Sequence, residues 1–298
     1  MYDFTELFVN VDDCWKAFEN IYSKHLLTDG TRERNRKCKL SISEIMTIII
    51  AFQTSGYRTF KSFYKFLLKH HKKDFPDMVS YNRFIYLIPR AIIPMFVYLQ
   101  TCCIDKPTGI SFIDSTALKV CHNKRITRNR VFEGLAKVGK TTMGWFYGFK
   151  LHLVINDRGG LLGYRLTAGN VGDLQVVESI TDGLFGKLFA DKGYISQSLF
   201  EKLLGKGIKL VTNIRKNMKC RLMEFEDKIL LRKRSVIETV NDTLKNVCQI
   251  EHSRHRSPIN FLAHLIGGLI AYTKLPKKPS LKIENIWKQP EMFGYLIA

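Results

Sequence analysis

Apolar side chains recur every three to four positions through most of the first hundred residues. Cys14, Phe18, Ile21 and Tyr22 fall on one face of positions 11–26, and Ser41 with Glu44 has the spacing of a capping box before the apolar run 45–52. The pattern continues over 63–71 and 81–99, with Arg83 and Arg90 among the apolar positions. An all-helical N-terminal domain is therefore predicted. Such a bundle either only packs, or carries a helix-turn-helix that binds DNA.

Beyond Pro107 the period shortens to that of strands. Positions 110–113 form a short strand closed by Asp114, and 145–155 lead through Asn156-Asp157-Arg158-Gly159-Gly160 into 161–167, a hairpin signal. A helix at 173–184, a strand at 187–190, a helix at 196–204 and a strand at 208–214 follow. A long amphipathic helix at 231–247 and another at 258–274 end the pattern. Three strands able to pair antiparallel, then alternating α and β, predict an α/β class with one mixed sheet and helices on its faces. The expected organisation is a helical domain at 1–106, an α/β domain at 107–275 and a peripheral tail at 276–298.

Composition narrows the partner. The 298-residue chain has 45% hydrophobic residues, enough for a sizeable core. Forty-seven Lys and Arg against 27 Asp and Glu leave a charge of +20, which predicts a polyanion, nucleic acid before an anionic membrane surface. The longest apolar stretches, 45–52 and 261–272, fall short of the roughly 20 residues that cross a bilayer, so no membrane role is expected. Early acids and no signal pattern at the N-terminus, with an odd seven cysteines, fit free thiols in the cytoplasm.

In so basic a chain, acids that follow apolar strands stand out. Asp114 ends Ile-Ser-Phe-Ile-Asp and Asp191 ends Leu-Phe-Ala-Asp, which places both at the rim where α/β sheets bind ligands. Glu238 lies within the 231–247 helix and can point at both if that helix crosses the sheet. Taken singly, each could be a turn former or cap. Brought together, three carboxylates repel unless a divalent cation neutralises them, and hard oxygen ligands suit Mg²⁺ or Mn²⁺. Two such ions about 4 Å apart serve phosphodiester chemistry. Arg234, Asn241, Asp242 and Lys245 share roughly one helical face with Glu238, an arrangement suited to a phosphate backbone although a solvated face has some of it too.

Basic residues cluster along a possible DNA path. From 116 to 150 there are eight Lys and Arg against one acid, Glu133, and Arg125, Arg128, Arg130, Lys137 and Lys140 are expected in a loop beside the first strand. A second cluster holds Arg215, Lys216, Lys219 and Arg221, and a third His252, Arg254, His255 and Arg256.

These motifs resemble bacterial insertion-sequence transposases with a DDE catalytic triad, the insertion sequence 982 group and the related 4 and 5 groups. The resemblance is carried by Phe112-Ile113-Asp114-Ser115-Thr116, by Gly148-Phe149-Lys150-Leu151-His152, by Thr167-Ala168-Gly169-Asn170-Val171-Gly172-Asp173 and by Phe189-Ala190-Asp191-Lys192-Gly193-Tyr194. Arg234, Glu238 and Lys245 match the spacing of a Tyr-x2-Arg-x3-Glu-x6-Lys signature, with Leu231 in place of the tyrosine. The likeness spans about 111–272. It implies an RNase H-like core in which Asp114, Asp191 and Glu238 hold two Mg²⁺ or Mn²⁺ ions. It further implies cleavage at the element's terminal inverted repeats, joining of the freed 3′-hydroxyls to target DNA, and a homodimer on paired ends in a bacterial nucleoid. Arg234 and Lys245 would hold phosphate, with Lys150, Arg125, Arg128, Arg130, Arg215, Lys216, Arg254 and Arg256 as further DNA-binding residues. Asn170 and Asp173 would either shape the site's wall or form a turn and helix cap.

Other readings compete. Gly134 to Thr141 satisfies G-x4-G-K-T, a phosphate-cradling loop, but no apolar strand precedes it and a strand-like run follows. Cys248, His252 and His255 could suggest zinc, without a fourth ligand at suitable spacing. A non-enzymatic DNA-binding protein and a nuclease that cuts without joining also remain open.

Overall fold

The computed structural model describes residues 4–28, 38–213, 223–251 and 255–281. The chain forms two compact units, one of Met1–Cys103, Asn129–Glu133 and Thr243–Lys274, the other of Ile104–Arg128, Gly134–Asp242 and Leu275–Ala298.

The first unit is helical: α1 (Phe4–Thr28), α2 (Ile42–Phe52), α3 (Phe60–His70), α4 (Tyr81–Tyr98) and α9 (Pro258–Thr273). The expected capping box starts α2, with Ser41 Oγ accepting from the Glu44 amide and Glu44 accepting from the Ser41 amide. Nearly every side chain of α2 is buried, because α1, α4 and α9 all pack on it. The helix at 258–273, expected with the sheet, belongs with these N-terminal helices. Its physical reason is composition: α9 is apolar almost all round and needs helices on several sides. A Cβ on Gly267 would stand 3.1 Å from Ile49, so glycine permits the close approach to α2. His264, the one polar break in this run, bonds Gln53 at 3.1 Å and the Gln249 carbonyl at 2.7 Å. The segment Tyr81–Cys103 is long and apolar enough by composition to cross a bilayer, which the sequence reading had not singled out. Phe84, Leu87, Ile88, Ala91, Met95 and Tyr98 of that segment are buried within the unit.

The second unit is built on a mixed sheet. Its strands are β1 (Ile110–Cys121), β2 (Lys137–Thr141), β3 (Gly144–Asn156), β4 (Leu161–Ala168), β5 (Gly186–Ala190) and β6 (Ile208–Thr212). The order is β3-β1-β5-β6, with β2 and β4 sharing the far edge of β3. Pairing is antiparallel across β4, β3 and β1, then parallel from β1 to β5 and β6. The helices α5 (Leu174–Ile180) and α6 (Gln197–Gly205) make the crossovers. Together with the sheet they bury Ile113, Val177, Leu188, Ala190, Leu199 and Leu203 in one core. On the other face lie α7 (Phe225–Arg232) and α8 (Ser235–Asp242).

Two local expectations need correction, and the rejected phosphate-loop pattern is accounted for. The first strand runs on to Cys121, and part of the expected loop is β2 and a 3-10 turn at Asn123–Arg128. The expected helix at 231–247 is two helices meeting at Lys233 and Arg234, then a π turn at Thr243–Val247. Its apolar period continues through the break because Leu230, Leu231, Val236, Ile237, Val240 and Leu244 are all buried. The phosphate-loop pattern forms no such loop, since Lys140 and Thr141 pair with β3 and no helix follows. Gly139 is small for another reason: a Cβ there would overlap the Gly169 carbonyl oxygen.

Candidate active site

Strand alternation decides which acids meet. Ile113, Leu188 and Ala190 enter the core under α5 and α6, so Phe112, Asp114 and Phe189 face the opposite way. Phe112 and Phe189 stack there with ring centres 5.4 Å apart. Asp114 lies inside β1, opposite Leu153, rather than at a strand end. Asp191 directly follows β5, and Glu238 projects from α8, which packs on β1.

Arg234 gathers the acids. Its guanidinium donates to Glu238 Oε1 at 3.0 Å and stands 4.0 Å from Asp191 Oδ1. Asn241, one turn beyond Glu238, donates to Asp114 Oδ2 at 3.1 Å. Asp191 and Glu238 keep 56% of their side-chain surface, while Arg234 keeps 16%. Burial pushes the Asp114 carboxyl up to about 6, helped by the negative charges of Glu238 and Asp191 and opposed by the Ser115 amide and Arg234.

The donor set is one of carboxylates, without sulfur or imidazole, which suits a hard divalent cation. A buried carboxyl flanked by two other acids also has a charged form that a cation would favour. Among the described residues no three His, Cys, Asp or Glu side chains already converge as a metal site, and the cation these acids share is Arg234. The zinc alternative gains nothing: Cys248 is buried, and His252 lies outside the described residues.

Behind Asp114, on the other face of β1, is a second polar cluster. Asp173 Oδ1 accepts from Ser115 Oγ at 3.0 Å and from Lys150 Nζ at 3.1 Å. Lys150 also donates to the Val171 carbonyl, and its side chain is only 13% exposed. His152, buried, bonds Thr167 at 2.9 Å and lies 3.8 Å from Asp173. Burial depresses the imidazole to about 4, a stronger effect than the attraction of Asp173, which Lys150 already offsets. Tyr194 is buried beside Ser115, and burial raises its phenol. Asp173 stands at the N-cap of α5 without capping it, since its carboxylate is taken by Ser115 and Lys150. The linking role of Ser115, His152 and Tyr194 escaped the sequence reading; their only signal was membership of the motifs around Asp114, Lys150 and Asp191.

The expected DNA-binding residues that are described fall in both units. Arg125 and Arg128 are exposed on the 3-10 turn, and Arg130 and Arg256 are exposed in the helical unit. Lys245 pairs with Glu251 at 3.3 Å. Arg215, Lys216 and Arg254 lie outside the described residues. Leu231, in the tyrosine position of the signature, is buried core.

A family model described as a transposase DDE domain matches residues 104–258, more than half of the chain. The chain belongs to the DDE transposase family. Asp114, Asp191 and Glu238 of this transposase domain all lie within the matched span. No curated protein matches the chain. A piggyBac transposase, solved as a synaptic complex with hairpin DNA, aligns over 92% of this chain and 74% of its own, with 11% identity and a TM-score of 0.46. So slight a likeness bears no weight beside the family match.

Proposed function

We propose that this DDE transposase cuts DNA at the ends of its own element and joins the freed 3′-hydroxyls to a target, using Asp114, Asp191 and Glu238 to hold two Mg²⁺ or Mn²⁺ ions. The observation that carries the reading is that Arg234 pairs with Glu238 and stands 4.0 Å from Asp191, while the charges of both acids act on the buried Asp114 carboxyl, within a DDE domain. The order of strands, three antiparallel and then two parallel, agrees with an RNase H-like core.

Two divalent ions held by Asp114, Asp191 and Glu238 would supply Lewis-acid stabilisation to the attacking and leaving oxygens of a phosphodiester. The chain's own residues do the rest. Asn241 fixes the Asp114 carboxylate, and Asp173 fixes Ser115 beside it. Arg234, one of whose amino groups is taken by Glu238, presents its remaining N–H groups as donors for phosphate oxygens. Arg125, Arg128 and the other basic residues named above contribute sequence-independent attraction, and a dimer brings two ends together.

The test is cleavage of labelled DNA carrying the gene's flanking sequence, with Mg²⁺, Mn²⁺ or EDTA. Wild type should cut at discrete flanking positions only with metal, and Asp191→Asn or Glu238→Gln should bind DNA without cutting. Equal cutting by these variants would remove the site assignment. Cutting without strand transfer to a second DNA would reduce the protein to a nuclease.

A further inference from the structure

The hairpin of β2 and β3 has one outward face that is apolar and basic together. Lys140 pairs with Trp145 and Val138 with Tyr147, so Val138, Lys140 and Trp145 project from the same side. Trp145 is 62% exposed, and Met143 at the tip is 90% exposed. The opposite side is closed: Phe146 is buried and Gly139 lies against the Gly169 backbone. Lys140 Nζ sits 5.4 Å from the centre of the Trp145 ring. Asn123 donates to the Trp145 carbonyl at 2.8 Å, fixing the backbone under the ring to the 3-10 turn. That turn and the hairpin together carry Lys124, Arg125, Arg128, Lys137 and Lys140, all exposed, and no acid.

A large indole left in water asks for a partner with a flat apolar face, and Lys140 over its ring, with the cations of the adjoining 3-10 turn, asks for that partner to be anionic. A second copy of the same face would bring these cations against themselves, as any two-fold contact must. Nucleic acid meets both demands, because every base has a π-face and every nucleotide a phosphate. We propose that Trp145 is a stacking platform for an unpaired DNA base, with Lys140 and the 123–128 turn holding the adjoining phosphates. The partner follows from the proposed function, while the site is separate from the carboxylates and needs no metal.

The experiment titrates the full chain with a 20-mer oligothymidine and with a 20-base-pair duplex, in EDTA. It follows indole fluorescence and, separately, anisotropy of labelled DNA. The single strand should quench wild type and largely fail to quench Trp145→Phe, which leaves Trp15 and Trp287 in place. Trp145→Ala should weaken single-strand binding about tenfold and duplex binding less than twofold. Trp145→Phe, which keeps a ring, should retain most of the affinity and serves if the alanine variant fails to fold. Lys140→Gln should lower the single-strand salt slope by about 0.7.

Unchanged single-strand affinity in a folded Trp145→Ala, with DNA still bound, would overturn the platform and leave the transposase reading intact. Wild type that binds neither DNA would overturn both. Indole fluorescence that responds to phosphatidylserine vesicles but not to oligothymidine would make the face a membrane contact. Loss of dimer in Trp145→Ala, without change in DNA binding, would make it a protein interface.

Discussion

The side-chain amide of Asn241 donates to the carboxylate of Asp114 at 3.1 Å, tying the helix that carries Glu238 to the central strand. Asn241 is 5% exposed, and its own Oδ1 has no hydrogen-bond partner among the described residues. The contact thus sets how two acids of the site approach each other.

Asn241→Asp replaces that donor with an acceptor beside a buried acid. Above pH 6 both groups tend to ionise, and the variant should lose about 2 kcal/mol of stability, with metal-dependent cleavage falling too. Near pH 4 one of the pair is protonated and can donate, so most of the loss should vanish. Urea unfolding in EDTA at pH 8 and pH 4 measures the difference. A loss that is the same at both values would mean that the contact contributes packing rather than charge.

Asp114→Asn should be more stable than wild type without metal. The carboxyl titrates at about 6 in the fold against an ordinary 3.8. A raised value means that stability is fully present below 3.8 and is lost as pH rises through 6. At 1.36 kcal/mol per pH unit the cost is about 3 kcal/mol, which wild type carries in full above pH 6 and not below pH 4, and which the asparagine carries at neither. Thermal melts in EDTA across that range should show the gap opening with pH. Cleavage should be absent throughout.

Asp227→Asn should destabilise the second unit without touching the candidate site. Its carboxylate is 2% exposed and pairs with Lys187 at 2.6 Å and Lys209 at 3.1 Å, clasping α7 to β5 and β6. Both lysines remain partly exposed, so water recovers some of the loss, and about 1–3 kcal/mol is expected. These lysines hold the Asp227 carboxyl below its ordinary 3.8 against the opposing effect of burial. Its stabilisation is therefore present above 3.8 and is lost as pH falls further, so wild type and variant should converge in acid. DNA affinity should be unchanged in the folded variant.

Much of this arrangement was legible in the sequence, and the exceptions have physical reasons. Asp191 could be placed at a strand end because an apolar run leads into it, and Glu238 on a helix because its neighbours hold a helical period, whereas the same cue put Asp114 at a strand end although it lies inside β1. The strand beyond Asp114 was hidden, since Ser115, Thr116 and Lys119 interrupt the apolar alternation while β3 supplies their backbone partners. The break before α8 was hidden for the opposite reason, as buried side chains keep the period on both sides of it. Lys150 read as a DNA-binding cation, yet a carboxylate 23 residues away holds it inward. Such a pairing depends on β3 and the β4–α5 turn meeting, which no local pattern encodes.

His152 should give the protein a second pH dependence, opposite in sign to that of Asp114. Burial holds its imidazole at about 4 against an ordinary 6.5. A depressed value means that stability is present above 6.5 and is lost as pH falls through 4, by about 3 kcal/mol. Over the same interval the Asp114 contribution rises by a similar amount, so wild-type stability should change little between pH 6.5 and pH 4. Each variant should uncover the other group. Asp114→Asn should lose stability as pH falls, because the His152 contribution is then unopposed, and His152→Gln should gain it, because that of Asp114 is. The double variant should again be flat. Urea unfolding of the four proteins in EDTA at pH 7, 5.5 and 4 tests the set, and parallel curves for the two single variants would refute the opposed pair.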